Sequence, residues 1–302
     1  MPVSAAFLLV VIIWSTTPLG IVWSSESMPA TATLLLRMAT AVVVGLPILK
    51  LMGIKLDWQP KAIKVYLYSS MSLAVGMLFC YIAAKYISSG LMSLAFGMAP
   101  ILSGLFAQRI LNERAFTPIK KLALVLSFVG LAIVCYDNIT LSEKTWFGLL
   151  FISVGVITFS LSGVLVKSVP IELHPLSTTL GSLIMSMPLF VLFWLISDGT
   201  MNYESWGLKS ISATLYLGFF GSLVGFIAYF HILKHLAAST VSLVVMITPV
   251  ISTGLGIWLN DEHFSLALLA GGSLVVCGLG LFQLGDKYLK RSENKSVINN
   301  LT

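Results

Sequence analysis

Residues 85–113 read KYISSGLMSLAFGMAPILSGLFAQRILNE, and residues 234–262 read KHLAASTVSLVVMITPVISTGLGIWLNDE. Laid on each other at an offset of 149 with no gap, they coincide at Lys85/Lys234, Ser93/Ser242, Leu94/Leu243, Pro100/Pro249, Ser103/Ser252 and Glu113/Glu262. Leucine and serine matches are cheap in an apolar chain. A lysine, a proline and a glutamate all in register are not. An offset near half of 302 residues points to a duplicated chain.

Composition says what was duplicated. The chain is 57% hydrophobic and 10% charged, with a mean hydropathy of +0.96, far outside the range of soluble domains. Ten apolar spans lie near residues 4–23, 31–49, 65–84, 90–108, 119–136, 146–166, 176–197, 210–230, 238–258 and 265–284. Each is long enough to cross a bilayer as a helix, and lipid leaves backbone polar groups almost no other way of being satisfied. The expected fold class is an all-α integral membrane protein of ten transmembrane helices. Five fall in residues 1–137 and five in 138–285, with a polar tail at 286–302. The short connections leave no room for a nucleotide-hydrolysing domain, and no G-x-x-x-x-G-K-[ST] occurs. MPVSAAFLLVVIIW lacks a basic n-region and reads as a retained first helix.

Basic residues give the orientation, because Lys and Arg stay on the cytoplasmic side of short loops. With the N-terminus inside, fourteen of the eighteen fall in cytoplasmic segments, three (Lys85, Lys144, Lys209) lie outside, and Arg37 lies within a span. The net charge of +6 therefore reflects topology, and the expected partner is the bilayer, with no nucleic acid. Five helices per repeat is an odd number, so the two copies must enter the membrane in opposite senses. Residues 109–121 carry four basic residues and their counterparts 258–270 none, as two inverted five-helix repeats require. Such repeats are a common architecture of secondary transporters.

Several positions stand out along the chain. Trp14-Ser15-Thr16-Thr17-Pro18 sets three hydroxyls beside a proline that frees the Trp14 carbonyl. The hydroxyls either face a substrate or bond back to their own or a neighbouring helix. Phe159-Ser160-Leu161-Ser162 falls opposite this stretch at an offset of 145, and Pro175 opposite Pro29 at 146. Arg37 either contacts a ligand, for instance by anchoring a substrate carboxylate, or takes part in gating, or else it has an interfacial role, snorkelling to the nearby outer interface, or a structural one; Leu183 stands at its counterpart position. Pro100 and Pro249, at matching depth, predict a symmetric pair of bends around a central cavity. Glu113 and Glu262 are expected to cap the helices that follow them, with an ion-pair gate as the other reading. His231 and His235, four apart, read as a wetted interface rather than a metal site. Gly271, Gly272, Gly278 and Gly280 suit close helix packing, against a neighbouring helix or another subunit. Cys80, Cys135 and Cys277 read as apolar core residues. All twelve Asp and Glu lie outside span interiors, which disfavours an organic cation as cargo.

Ten spans in a five-plus-five duplication, Trp14-Ser15, Arg37, and Leu94, Pro100 and Glu113 repeated as Leu243, Pro249 and Glu262 resemble the EamA-type branch of the drug/metabolite transporter superfamily over residues 5–285. The chain departs from that pattern at Ser15, Asn112 and Asp261, where members often carry Gly. The resemblance implies alternating access around a cavity lined by helices 1, 3, 4, 6, 8 and 9, and export of small metabolites such as amino acids. The lining positions it implies are Trp14, Ser15, Tyr81, Phe96, Pro100, Phe159, Ser160, Tyr229, Met246 and Pro249, with Arg37 added from its charge. A neutral or zwitterionic solute is expected, handled by a monomer or a homodimer in the inner membrane, without cofactor or metal. A lipid or isoprenoid-phosphate flippase is the alternative. A membrane-embedded enzyme would need catalytic groups converging at depth, and the sequence gives no such cluster.

Overall fold

The computed structural model describes residues 2–141, 144–197, 199–201, 203–236 and 243–299; within these, the side chains of 138–141, 230, 233, 234, 243, 246, 284 and 286–299 are not described. Ten helices follow in order. They are α1 (Val3–Ser24), α2 (Ala30–Leu51), α3 (Pro60–Ala83), α4 (Ser89–Ile110), α5 (Pro118–Leu141), α6 (Thr145–Lys167), α7 (Pro175–Ser197), α8 (Leu208–His235), α9 (Leu243–Asn260) and α10 (Leu266–Asn299). All except α9 carry, among the described residues, a window long and apolar enough to span a membrane. Helix α9 is an apolar run of 18 residues, and residues 237–242, where its predicted span begins, lie outside the described residues. Helix α10 continues to Asn299, so the backbone expected as a tail from 286 extends the helix.

Proline opens α3, α5 and α7, at the first-turn position where its missing N–H costs nothing. The ends of α4 and α9 are built alike. Glu113 N–H donates to the Ala107 carbonyl and Glu262 N–H to the Gly256 carbonyl, both at 3.2 Å. Between them Asn112 and Asp261 take left-handed backbone, with φ of 53° and 48°. Both helices thus end on a left-handed residue, a position that glycine usually fills and asparagine and aspartate tolerate.

The helices pack with an internal pseudo-two-fold. α1 lies against α8 and α9 as α6 lies against α3 and α4; α2 meets α8 as α7 meets α3. The pairs α2–α7, α4–α9 and α5–α10 map onto themselves. Contacts at helix ends fix the directions. One face, the far face, joins the end of α1 to the end of α9 through Trp23 Nε1 donating to Asn260 Oδ1 at 2.8 Å. It also joins the α1–α2 connection to the start of α8, where Gly207 N–H donates to Ser27 Oγ at 2.8 Å. The opposite face, where α1 begins, holds the pairing of Lys167 with Glu113 at 3.3 Å. Each helix is thus antiparallel to its counterpart five places on, and the repeats are inverted.

Two expectations are corrected here. The caps of α5 and α10 come from Thr117 Oγ1, which accepts the Lys120 N–H, and Ser265 Oγ, which accepts the Leu268 N–H. Glu262 instead crosses to the other repeat. The prolines do not bend their helices symmetrically: α4 is interrupted between Phe96 and Ala99, just before Pro100, whereas α9 runs unbroken across Pro249. Gly271 and Gly278 of α10 pack closely against a neighbouring helix, as expected. A Cβ on Gly271 would stand 2.5 Å from the Gly130 carbonyl, and one on Gly278 would meet Ser127 and Ala123, so α5 already occupies that seam.

Candidate functional site

Between the two repeats lies a cavity of about 120 Å³. Its wall is apolar and aromatic, with Trp14, Met77, Met92, Phe96, Phe159 and Phe226 from α1, α3, α4, α6 and α8. Hydroxyls enter at Thr17, Ser93 and Thr248, and one charge enters at Arg37.

Arg37 is 1% exposed, so it turns inward to the cavity and the snorkelling reading is overturned. Depth along a helix does not decide this; the direction in which the side chain leaves it does. On α8 the backbone widens into a π-helical stretch, Leu217–Val224, and presents Ser222 Oγ to Arg37 Nε at 2.9 Å. Nη1 donates to Tyr81 Oη at 3.4 Å, and the guanidinium carbon stands 5.9 Å from the Tyr81 ring centre. Glycine makes the approach possible. A Cβ on Gly218 would be 2.8 Å from the Arg37 carbonyl, and one on Gly221 would be 3.3 Å from Nη2. Among the described residues Arg37 has no carboxylate within ion-pair distance.

The repeat carries the same backbone device without the charge. A π-helical stretch, Met71–Gly76, occupies the matching place in α3. At an offset of 146, Arg37, Ser222 and Tyr81 become Leu183, Gly76 and Ile227. Of these six residues only Arg37 lines the cavity, so the first repeat brings a charge to it that the second does not match.

Of the eleven site residues expected from sequence, Trp14, Arg37, Phe96 and Phe159 line the cavity. Tyr81 is buried behind Arg37, and Tyr229 braces Trp14 with ring centres 4.8 Å apart. Ser15 and Ser160 are buried but do not line the cavity, and neither does half-buried Pro100. Pro249 instead borders a separate apolar groove with Leu94, Thr253 and Leu268. The Met246 side chain lies outside the described residues. Met77, Met92, Ser93, Phe226 and Thr248 were not anticipated, because nothing in an apolar span distinguishes a cavity-facing residue from a packed one. Thr17 was named only as part of a polar patch. Cys80 is a buried core residue at the cavity edge, as expected, whereas Cys277 is exposed.

On the far face, contacts between helix ends tie the two repeats together. The Glu262 carboxylate, from the end of α9, accepts the Ser89 N–H at 2.8 Å and the Gly90 N–H at 3.1 Å at the start of α4. Beside it lies the Trp23–Asn260 bond, and Lys209 Nζ pairs with Glu26 at 2.6 Å across α8 and α1.

Comparison with known proteins gives concordant results. An uncharacterized transporter of Archaeoglobus fulgidus is 25% identical over 275 residues, covering 90% of this chain and 95% of its own. The uncharacterized transporter YoaV of Bacillus subtilis is 22% identical over 273 residues, covering 89% and 92%. The uncharacterized inner membrane transporter YedA of Escherichia coli K12 is 24% identical over 292 residues, covering 96% and 92%. A solved crystal structure shares the fold at a TM-score of 0.65 and 18% identity, covering 93% of this chain and 97% of that one. The model of the EamA-like transporter family matches residues 2–136 and again 146–283, and the chain belongs to that family of multi-pass membrane transporters.

Proposed function

We propose that this protein moves small zwitterionic metabolites, amino acids among them, out of the cell across the inner membrane by alternating access. One observation carries the reading: Arg37 is a buried cation facing the cavity, held by two hydroxyls and by no carboxylate among the described residues. A buried charge needs a counter-charge or a dense set of hydrogen bonds, and a substrate carboxylate supplies both through the guanidinium fork. The faces of Trp14, Phe96 and Phe159 accept an ammonium group by cation–π contact, and the surrounding apolar wall takes a small side chain. The face that begins α1 is cytoplasmic on this reading, because it carries the excess of Lys and Arg. The inner membrane placement is shared with the name of the Escherichia coli relative.

The test is counterflow in vesicles of purified protein, with amino acids, amines, simple carboxylates and a fluorescent lipid phosphate as cargo. Carboxylate-bearing solutes are expected to move. Arg37→Lys, which keeps the charge and loses the fork, is expected to lower kcat/KM by ~10- to ~100-fold, the worth of hydrogen bonds to a charged group. Unaltered kinetics in a correctly inserted Arg37→Lys protein would remove the anchor. Translocation of the lipid phosphate alone would replace the metabolite reading with the flippase one.

A further inference from the structure

Two serines sew α6 to α4. Ser160 Oγ donates to the Ala99 carbonyl at 3.2 Å, and Ser103 Oγ donates to the Ser160 carbonyl at 3.5 Å. Both bonds fall beside the interruption of α4. In the other repeat Ser15 stands at the position of Ser160, Ser252 at that of Ser103 and Thr248 at that of Ala99. Helices α1 and α9, which carry them, pack against each other as α6 and α4 do. Yet the Ser15 and Ser252 hydroxyls, both 0% exposed, have no hydrogen-bond partner among the described residues. Leaving a buried hydroxyl unpaired is costly, and native structures rarely do so without a reason.

We propose that these four serines are positioning residues for the transport cycle, bonded in alternate pairs. In the conformation closed at the far face, Ser160 and Ser103 are paired while Ser15 and Ser252 wait. In the opposite conformation Ser15 donates to the Thr248 carbonyl and Ser252 to the Ser15 carbonyl, while Ser160 and Ser103 are released. The number of bonds is conserved across the exchange, which keeps two states of one chain close in free energy, as a carrier needs. The inference rests on the alternating-access reading and adds to it the side chains that balance the two states.

The experiment uses Thr17→Cys, on the cavity wall, in a full-length chain whose three natural cysteines are replaced by alanine. An impermeant thiol reagent is applied from each face, and the outer-to-inner ratio of labelling rates is read. Ser160→Ala with Ser103→Ala weakens the state described here and is expected to raise that ratio, by ~2- to ~12-fold per lost bond. Ser15→Ala with Ser252→Ala is expected to lower it, and the fourfold variant to return toward the parent value. A shift of the same sign in both pairs, or no shift in either while the parent protein labels from both faces, overturns the proposal. Labelling of the parent from one face only, with or without substrate, overturns alternating access itself.

Discussion

Asn112 and Asp261 show how one residue type follows from backbone geometry. Each occupies the left-handed position that ends its helix, at the same place in the two repeats. Glycine is the residue with no steric penalty there. Asn112→Gly is therefore expected to leave thermal stability in detergent within about 0.5 kcal/mol or raise it, whereas Asn112→Val should cost about 1–2 kcal/mol. Equal melting temperatures for the two variants would refute the strain. Arg37 shows the limit of reading single positions. Its charge stands out in the sequence, but its direction does not, because Ser222, the residue that holds Nε, lies 185 positions away on a widened turn. No local pattern reports that turn.

At the scale of the helix, Glu262 is the element whose role changes most between sequence and structure. Its spacing before α10 reads as a local cap, and Ser265 takes that task. The carboxylate is then free to accept two N–H groups at the start of α4, where the helix dipole favours negative charge. Glu262→Gln keeps the shape and loses the charge, so it should weaken the far-face closure by about 1 kcal/mol. The expected reading is a roughly fivefold gain in labelling of Thr17→Cys from the far face, by the conversion of free energy to ratio. Glu113→Gln should change stability by less than ~0.5 kcal/mol, since its pairing with Lys167 is largely exposed. Unchanged far-face labelling in Glu262→Gln would make the contact incidental to closure. The break in α4 without one in α9 belongs to the same scale. Proline makes interruption permissible in both helices, and only α4 uses it.

Across the whole molecule, helix number, span positions and duplication were legible because each rests on a property summed over many residues: hydropathy over about 20 positions, or register over half the chain. Which cavity-facing residues a span presents was not legible, because lipid, neighbour and cavity all accept apolar side chains. The inversion stands between these cases. It was deduced from an odd helix count and a charge bias, and the end-to-end contacts of Trp23 with Asn260 and of Lys167 with Glu113 bear it out. What those contacts do not fix is which face meets the cytoplasm, and the basic residues supply that step. The face beginning α1 carries fourteen Lys and Arg against three on the other. Single cysteines at Asn112 and at Asp261, again in a cysteine-free chain, sit in matching turns that the fold places on opposite faces. In intact cells an impermeant reagent should label Asp261→Cys and spare Asn112→Cys, and in inside-out vesicles the order should reverse. Labelling of both from one side would sink the inverted arrangement, whereas a clean reversal of the expected order would keep the fold and turn the molecule over in the membrane.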